Sequence, residues 1–272
     1  LEGDIDLSAE GLTAMIMRRT GRNDILIRSV LWFSAYNMNA RLADRFRVGR
    51  VFLAGDAAHV HPPTGGQGLN TSVQDSYNLG WKIAAVLGGA PEPLLATYEE
   101  ERRPIASGML DLSTKLLDEL KKRGGMRRGR DTQQLDIGYS VSALSLERPL
   151  RTSGLRAGDR APDAPISGAA GVPTRLFKLF QGPHWTLLGY EVDRAKAVRP
   201  RAGLRIHTVG ACGDIVDDGG HFREGYGLEP GNWVLIRPDG YVGAIVASDE
   251  RSVLDGYLEN VGLAAAADRE TQ

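Results

Sequence analysis

Between Gly49 and Asn70 the chain reads Gly-Arg-Val-Phe-Leu-Ala-Gly-Asp-Ala-Ala-His-Val-His-Pro-Pro-Thr-Gly-Gly-Gln-Gly-Leu-Asn. An apolar stretch, a Gly-Asp pair, a loop rich in proline and glycine and the start of a helical pattern follow one another, and few folds accept that order. Arg50 to Ala54 reads as a buried strand that delivers Gly55 and Asp56 to its carboxyl end, where ligands of open α/β sheets bind. Gly55 has no Cβ to keep a ligand off the backbone. Asp56 offers a carboxylate that accepts from ribose or ribityl hydroxyls and repels phosphates. A Gly-Asp pair alone would equally be a turn or a helix cap, so the weight lies in the whole run.

From Leu69 the apolar residues Val73, Tyr77, Trp81, Ala84 and Leu87 recur in steps of three or four, and Gly88-Gly89 closes the run, which predicts a helix. Gly65, Gly66 and Gly68 stand at its N-terminus, where bare N–H groups and the positive end of the helix dipole favour an anion. The spacing matches neither Gly-x-Gly-x-x-Gly nor a phosphate-binding loop, which needs lysine followed by serine or threonine. His59 and His61 raise the question of a metal, but no third ligand stands at a convincing spacing, so no metal is expected.

Elsewhere, Ser8 to Arg19 predicts an amphipathic helix with Ser8 as N-cap and Thr20-Gly21 as its stop. Ile25 to Ile27 and Val30 to Tyr36 predict two strands. A second helical stretch runs from Pro93 to Leu120 with a kink at Pro104 and ends at Gly124-Gly125. Residues 121 to 130 carry Lys121, Lys122, Arg123, Arg127, Arg128 and Arg130 with no acid, as either a solvated linker or a phosphate-facing patch. Beyond it, Trp185 to Tyr190 and Arg205 to Val209 read as strands. Trp233 to Ile236 and Tyr241 to Val246 form a hairpin about Arg237-Pro238-Asp239-Gly240, and a helix from Asp249 to Val261 closes a small α/β domain.

The chain has 272 residues, 42% hydrophobic and 25% charged, with a net charge of −1, which excludes disorder as the dominant state and any whole-chain attraction to nucleic acid or anionic membranes. No apolar run approaches a membrane span, and the single cysteine, Cys212, excludes an intrachain disulfide and dithiol chemistry and fits a cytoplasmic setting. Cys212 is expected to be buried or idle.

Gly49 to Asn70, together with Gln74-Asp75, Asn78-Leu-Gly-Trp-Lys82 and Tyr98-Glu-Glu-Glu-Arg-Arg-Pro104, resembles the class A flavoprotein monooxygenases, which are similar to para-hydroxybenzoate hydroxylase. The likeness is to the branch that hydroxylates aromatic polyketides and rifamycins. Members of that branch carry a thioredoxin-like C-terminal domain, similar to what Gly158-Asp-Arg-Ala-Pro-Asp163 to Gly262 would form. The resemblance implies an α/β chain: the end of a substrate-binding domain over 1–48, the C-terminal part of a Rossmann-like FAD-binding domain over 49–125 and a linker over 126–157. A thioredoxin-like domain over 158–264 and a tail over 265–272 complete it.

The resemblance further implies that Asp56, beside Gly55, holds the ribityl chain of FAD. Pro62 and the backbone of Gly65, Gly66, Gln67, Gly68, Leu69 and Asn70 would border the flavin N1 and C2 carbonyl, where a reduced isoalloxazine is an anion. Pro63 and Thr64 would touch substrate above the flavin. Trp32, Phe33 and Tyr36 alternate along a strand beside the substrate cavity, so not all face it, and a core position is the more expected place for each; Trp32 is the candidate contact. NADPH or NADH would reduce the flavin, O2 would add at C4a, and the resulting hydroperoxide would oxygenate an aromatic substrate, with no acid–base residue required.

The family's N-terminal Gly-x-Gly-x-x-Gly unit and its central Asp-Gly motif are not in this sequence, and the first methionine is Met15. The expectation is therefore a chain that works with an adenine-binding portion in the same native polypeptide or in a complementing one, as a homodimer by analogy. The competing reading is a non-catalytic assembly module that keeps the scaffold without its own FAD. A thioredoxin-like redox protein would need a second cysteine.

Overall fold

The computed structural model describes residues 6–34, 39–63, 66–123, 130–193 and 198–264. The chain divides into two units, 1–39 and 40–272.

In the first unit, helix α1 (Ala9–Thr20) forms as its caps dictate: the Ser8 side chain accepts from the Gly11 N–H and Gly21 closes the helix in the left-handed region at φ 71°. The Ile27 N–H donates to Thr13 Oγ1 at 3.0 Å. The strands expected at 25–27 and 30–36 are not found over 21–34, and residues 35–38, Tyr36 among them, lie outside the described residues. A strand needs a partner for its N–H and C=O groups, and no chain pairs with this segment among the described residues. Trp32 is accordingly 81% exposed and Leu31 and Phe33 are exposed beside it.

The second unit opens with two short antiparallel pairs. Strand β1 (Arg41–Leu42) pairs with β4 (His59–Val60), and β2 (Arg47–Val48) pairs with β3 (Val51–Phe52) across a turn at Gly49 with φ 58°. The strand expected to be buried over Arg50 to Ala54 is thus shorter and less covered than predicted: β2 is its only neighbour among the described residues, and Val51 is 65% exposed. Under the hairpin, Phe46, Ala58, Leu79, Tyr98 and Ala106 form a core.

Helix α2 (Gly68–Leu87) and helix α3 (Ala96–Arg123) flank a short 3-10 turn, Glu92–Leu95. Pro104 lies inside α3, which runs through the position expected to kink it. Gly124 to Gly129, most of the basic run's surroundings, lie outside the described residues; Lys121 and Lys122 are exposed. No described helix is long and apolar enough to cross a membrane.

The stretch expected to be a linker is ordered from its 3-10 turn at Arg130–Gln133 onward: Gln134, Ile137, Tyr139, Ser142 and Leu144 are buried, and β5 (Leu146–Arg148) joins the main sheet. A small antiparallel pair, β6 (Pro165–Ser167) and β7 (Pro173–Arg175), and the short α4 (Leu176–Phe180) lead into that sheet. Its strands β8 (Trp185–Tyr190), β9 (Leu204–Val209), β10 (Asn232–Ile236) and β11 (Val242–Ala247) stand in the order β5-β11-β10-β8-β9. β8 and β9 are parallel and β10 runs antiparallel to both β8 and β11, the thioredoxin-like pattern. Helix α5 (His221–Tyr226) precedes the hairpin and α6 (Arg251–Asn260) follows it.

Alternation along the strands gives the sheet two apolar faces. Leu188, Val234 and Ile236 pack with Phe180, Phe222 and Tyr226, whereas Leu187, Trp233 and Leu235 pack with Leu254, Tyr257 and Leu258 of α6. The second face also takes Trp81, Ala85 and Val86 of α2 and Leu94. The sheet and the helices before it therefore share one core, which is why 40–272 is one unit although composition suggests a break between 125 and 158.

Candidate cofactor site and the charge network behind it

The Gly55–Asp56 pair lies in a 3-10 turn (Gly55–Ala57) that follows β3 after Leu53 and Ala54. Gly55 is needed there: its φ is 59°, and a Cβ would lie 3.0 Å from both Cβ and Oγ of Ser72 on α2. The turn is closed by the Ala58 N–H on the Gly55 carbonyl at 2.8 Å. Asp56 is exposed, and among the described residues no hydrogen bond or ion pair engages its carboxylate.

The first turn of α2 lies against this turn. No side chain caps the helix and its first turn holds no acid. Gln67, at the capping position, instead donates through Nε2 to the Thr132 carbonyl at 2.6 Å. The leading N–H groups of a helix have no intrahelical acceptor, and those of α2 lie beside Gly66 (φ 69°), Leu69 and Asn70, all exposed. Pro62 is buried and Pro63 exposed, while Thr64 and Gly65 lie outside the described residues. The structure thus brings together Gly55, Asp56, Gln67, Gly68, Leu69 and Asn70. Trp32 belongs to the other unit, outside any strand.

A polyol and an anionic ring edge fit these donors and this acceptor. His59 is committed to Asp75, its Nε2 2.7 Å from Oδ2, and among the described residues no group of three or more His, Cys, Asp or Glu gathers. His61 stacks on His59 with ring centroids 5.9 Å apart.

Helix α2 turns a different face inward than its apolar rhythm predicts. Leu69 is 76% exposed, Val73 and Tyr77 are exposed, and the buried residues are Thr71, Asp75, Asn78, Leu79 and Lys82. The reason is α3. Glu101 receives two bonds from Arg237 (Nη1 and Nη2, 2.8 Å each), and Lys82 Nζ and Asn78 Nδ2 donate to its Oε2 at 2.7 Å each. Ser142 Oγ donates to Oε1 at 2.6 Å. Arg237 also pairs with Asp239, which accepts from Trp81 Nε1 at 2.9 Å. The Arg237-Pro238-Asp239-Gly240 turn, expected only to make a hairpin, therefore carries the ions that join the thioredoxin-like sheet to α2 and α3.

The Tyr98 to Pro104 segment performs the same service for the Gly-Asp turn. Tyr98 donates its hydroxyl to the Leu53 carbonyl at 2.7 Å, Glu99 accepts from the N–H groups of Phe46 and Arg47, and Arg103 donates to the Ala43 carbonyl. Arg102 donates from Nε to Asp75 Oδ1 at 2.7 Å. Burial pushes the Asp75 carboxyl up, but His59 and Arg102 together hold it below the usual carboxylate range. Glu101 is likewise held low: burial opposes it, and Arg237 and Lys82 outweigh burial. The missed signal was a polar stripe, Asp75, Asn78 and Lys82, at helical spacing beside the apolar one.

Burial drives the Lys82 ammonium down to about 8, against the pull of Glu101 and with Arg237 adding to the fall. In the unfolded chain the amine titrates near 10.5, so between about pH 8 and 10 the unfolded chain holds a proton that the folded chain has lost. The contribution of Lys82 to stability is therefore expected to rise with pH across that window. Above it, Tyr139 and Tyr257, kept protonated by burial, reverse the trend. Urea unfolding of the wild type and of Lys82→Met at pH 8 and pH 10 checks this; an equal rise in both would contradict it.

Fold and site together describe an α/β segment joined to a thioredoxin-like sheet. Residues 2–113 match the family profile for an FAD binding domain, and residues 155–269 match that for the aromatic-ring hydroxylase C-terminal region. Both matches are to regions of class A FAD-dependent aromatic hydroxylases, and the chain is similar to that family over nearly its whole length. It is 44% identical over 257 residues to a flavin-dependent monooxygenase of Mycobacteroides abscessus, covering 94% of this chain and 49% of that protein. Over 89 residues it is 60% identical to a rifampicin monooxygenase of Rhodococcus hoagii, covering 32% of this chain and 19% of that one. The structure of aklavinone-11 hydroxylase with FAD and aklavinone superposes with a TM-score of 0.76 at 28% identity, covering 94% of this chain and 51% of that one. The chain spans about half the length of the curated relatives it matches.

Proposed function

We propose that this chain supplies the ribityl- and pyrimidine-facing part of the FAD site in a monooxygenase that uses NADPH or NADH and O2 to oxygenate an aromatic or polyketide-type substrate. The adenine-binding part comes from the other half that its relatives carry, in the same polypeptide or a complementing one. The observation that carries this reading is the pairing of an exposed Asp56 carboxylate with an uncapped helix start. Asp56 accepts hydroxyls of the ribityl chain, with Gly55 giving it close approach. The N–H groups at the start of α2 hold the N1–C2 carbonyl edge, where negative charge grows on reduction. Pro62 borders the flavin and Pro63 contacts the substrate, a role also proposed for Thr64, which lies outside the described residues. Trp32 is a further candidate contact with it.

When bound, FAD supplies the oxygen activation; the chain's own residues bind, orient and exclude water. Loss of a charge-assisted hydrogen bond predicts that Asp56→Ala, in the enzyme complete with its adenine-binding portion, weakens FAD binding by about ten- to a hundredfold. Titration of apoenzyme with FAD, followed by flavin fluorescence, measures it. An unchanged dissociation constant in folded protein would sink the assignment.

A further inference from the structure

Behind the proposed flavin site the buried side chains form an unbroken path to the thioredoxin-like sheet. Asp75 Oδ2 accepts the Gly55 N–H at 3.2 Å and meets His59, while Oδ1 is held by Arg102. Arg102 Nη1 donates to the Tyr139 hydroxyl at 2.9 Å. The Tyr139 ring packs on Tyr241, centroids 4.4 Å apart, and Tyr241 immediately precedes β11. Every polar member of this path is buried.

Resting on the FAD reading above, we propose that Asp75 is a positioning residue for the flavin site, and that Arg102 and Tyr139 transmit to it the placement of the thioredoxin-like domain. Three features carry this. The bond from Asp75 falls on Gly55, the residue joined by a peptide to Asp56, whereas Tyr98 grips the chain further back at Leu53. Gly55 has a positive φ and no room for a Cβ beside Ser72, so the turn sits close on α2 and the anchored N–H of Gly55 sets where the Asp56 residue begins. Both oxygens of Asp75 are committed, one to the turn and one to Arg102, so the carboxylate cannot shift toward one without leaving the other. With a single cysteine the domain cannot do dithiol chemistry, and this path gives it a role in cofactor binding.

The test uses the complete flavoenzyme. Asp75→Asn and Tyr139→Phe are each expected to raise the FAD dissociation constant by about two- to tenfold, the worth of one hydrogen bond, and to alter the visible circular dichroism of the flavin that remains bound. Leu235→Ala, a cavity in the same domain's core but off the path, should lower the unfolding midpoint while leaving both flavin readouts unchanged. If Asp75→Asn folds and leaves both unchanged, the positioning role fails. If Asp75→Asn does not fold, Tyr139→Phe decides alone, because it removes one hydroxyl and no charge: unchanged flavin readouts overturn the proposal. Asp56→Ala in the same series separates the two ideas, since a null effect there defeats the FAD reading itself.

Discussion

Glu101→Gln is expected to destabilise the chain by about 3–5 kcal/mol, the cost typical of breaking a buried ion cluster from one side. The substitution keeps shape and volume, so no cavity confuses the result. It takes away the one charge on which Lys82 and both terminal nitrogens of Arg237 converge. Arg237 would keep Asp239, but Lys82 would face Arg237 with its own partner neutralised and would give up its proton at neutral pH. An amide also presents an NH2 to Arg237, Lys82, Asn78 or Ser142, each of which donates to Glu101 in the native chain. Lys82→Met should cost far less, because Glu101 remains bidentate to Arg237. Urea unfolding at pH 7 of the two variants measures this contrast. Equal losses would mean that the cluster works as a set of independent pairs.

The contrast bears on how the two segments of the second unit are held. Apolar packing of Trp81, Ala85 and Val86 on the sheet is non-directional and would tolerate sliding of α2 over it. Glu101 with Arg237 fixes one arrangement, because a bidentate guanidinium and carboxylate match in a single geometry. Arg237 also lies over the rings of Trp81 and Tyr139, 5.3 and 5.2 Å from their centroids, which ties its position to both segments.

Caps and tight turns are legible in the sequence because their determinants are local, although Pro104, a local signal for a kink, lies inside a continuous α3. Ser8 and Gly21 bound α1, Gly88 follows α2, and the turn at Gly240 (φ 80°) joins β10 to β11. Misreadings arose where a partner decides. Val30 to Phe33 has the composition of a strand, but a strand's hydrogen bonds are made with another chain segment, which no local window contains. The inward face of α2 departs from its apolar periodicity for a related reason. Periodicity assigns the core to apolar residues, whereas Asp75, Asn78 and Lys82 are buried only because Arg102, Glu101 and Arg237 meet them from α3 and from a hairpin more than a hundred residues away. Of the site, the Gly-Asp turn and the glycine-led helix were legible as a motif. What fixes them from behind, Asp75 and Arg102, has no role that the sequence alone assigns.

Gly158→Ala is expected to cost about 2–6 kcal/mol, from two separate sources. Gly158 has φ 92°, where a residue with a side chain is strained by about 1–3 kcal/mol. In addition a Cβ would lie 2.6 Å from the carbonyl carbon of Tyr139 and 2.7 Å from the Ser140 nitrogen. These are backbone atoms that cannot rotate away, and overpacking of this kind adds about 1–3 kcal/mol. The crowding is built in: the Gly158 N–H donates to the Val242 carbonyl at 2.7 Å while the Gly158 carbonyl accepts from the Tyr139 N–H at 2.8 Å. One glycine thus clamps the Tyr139 segment to the start of β11. Gly240→Ala is the control, because its φ is 80° but a Cβ there meets nothing within 4 Å, so only the dihedral cost applies. The difference between the two unfolding free energies isolates the close approach. If Gly158→Ala costs no more than Gly240→Ala, the clamp is loose enough to yield, and Tyr139 is held in place by its ring packing against Tyr241 instead.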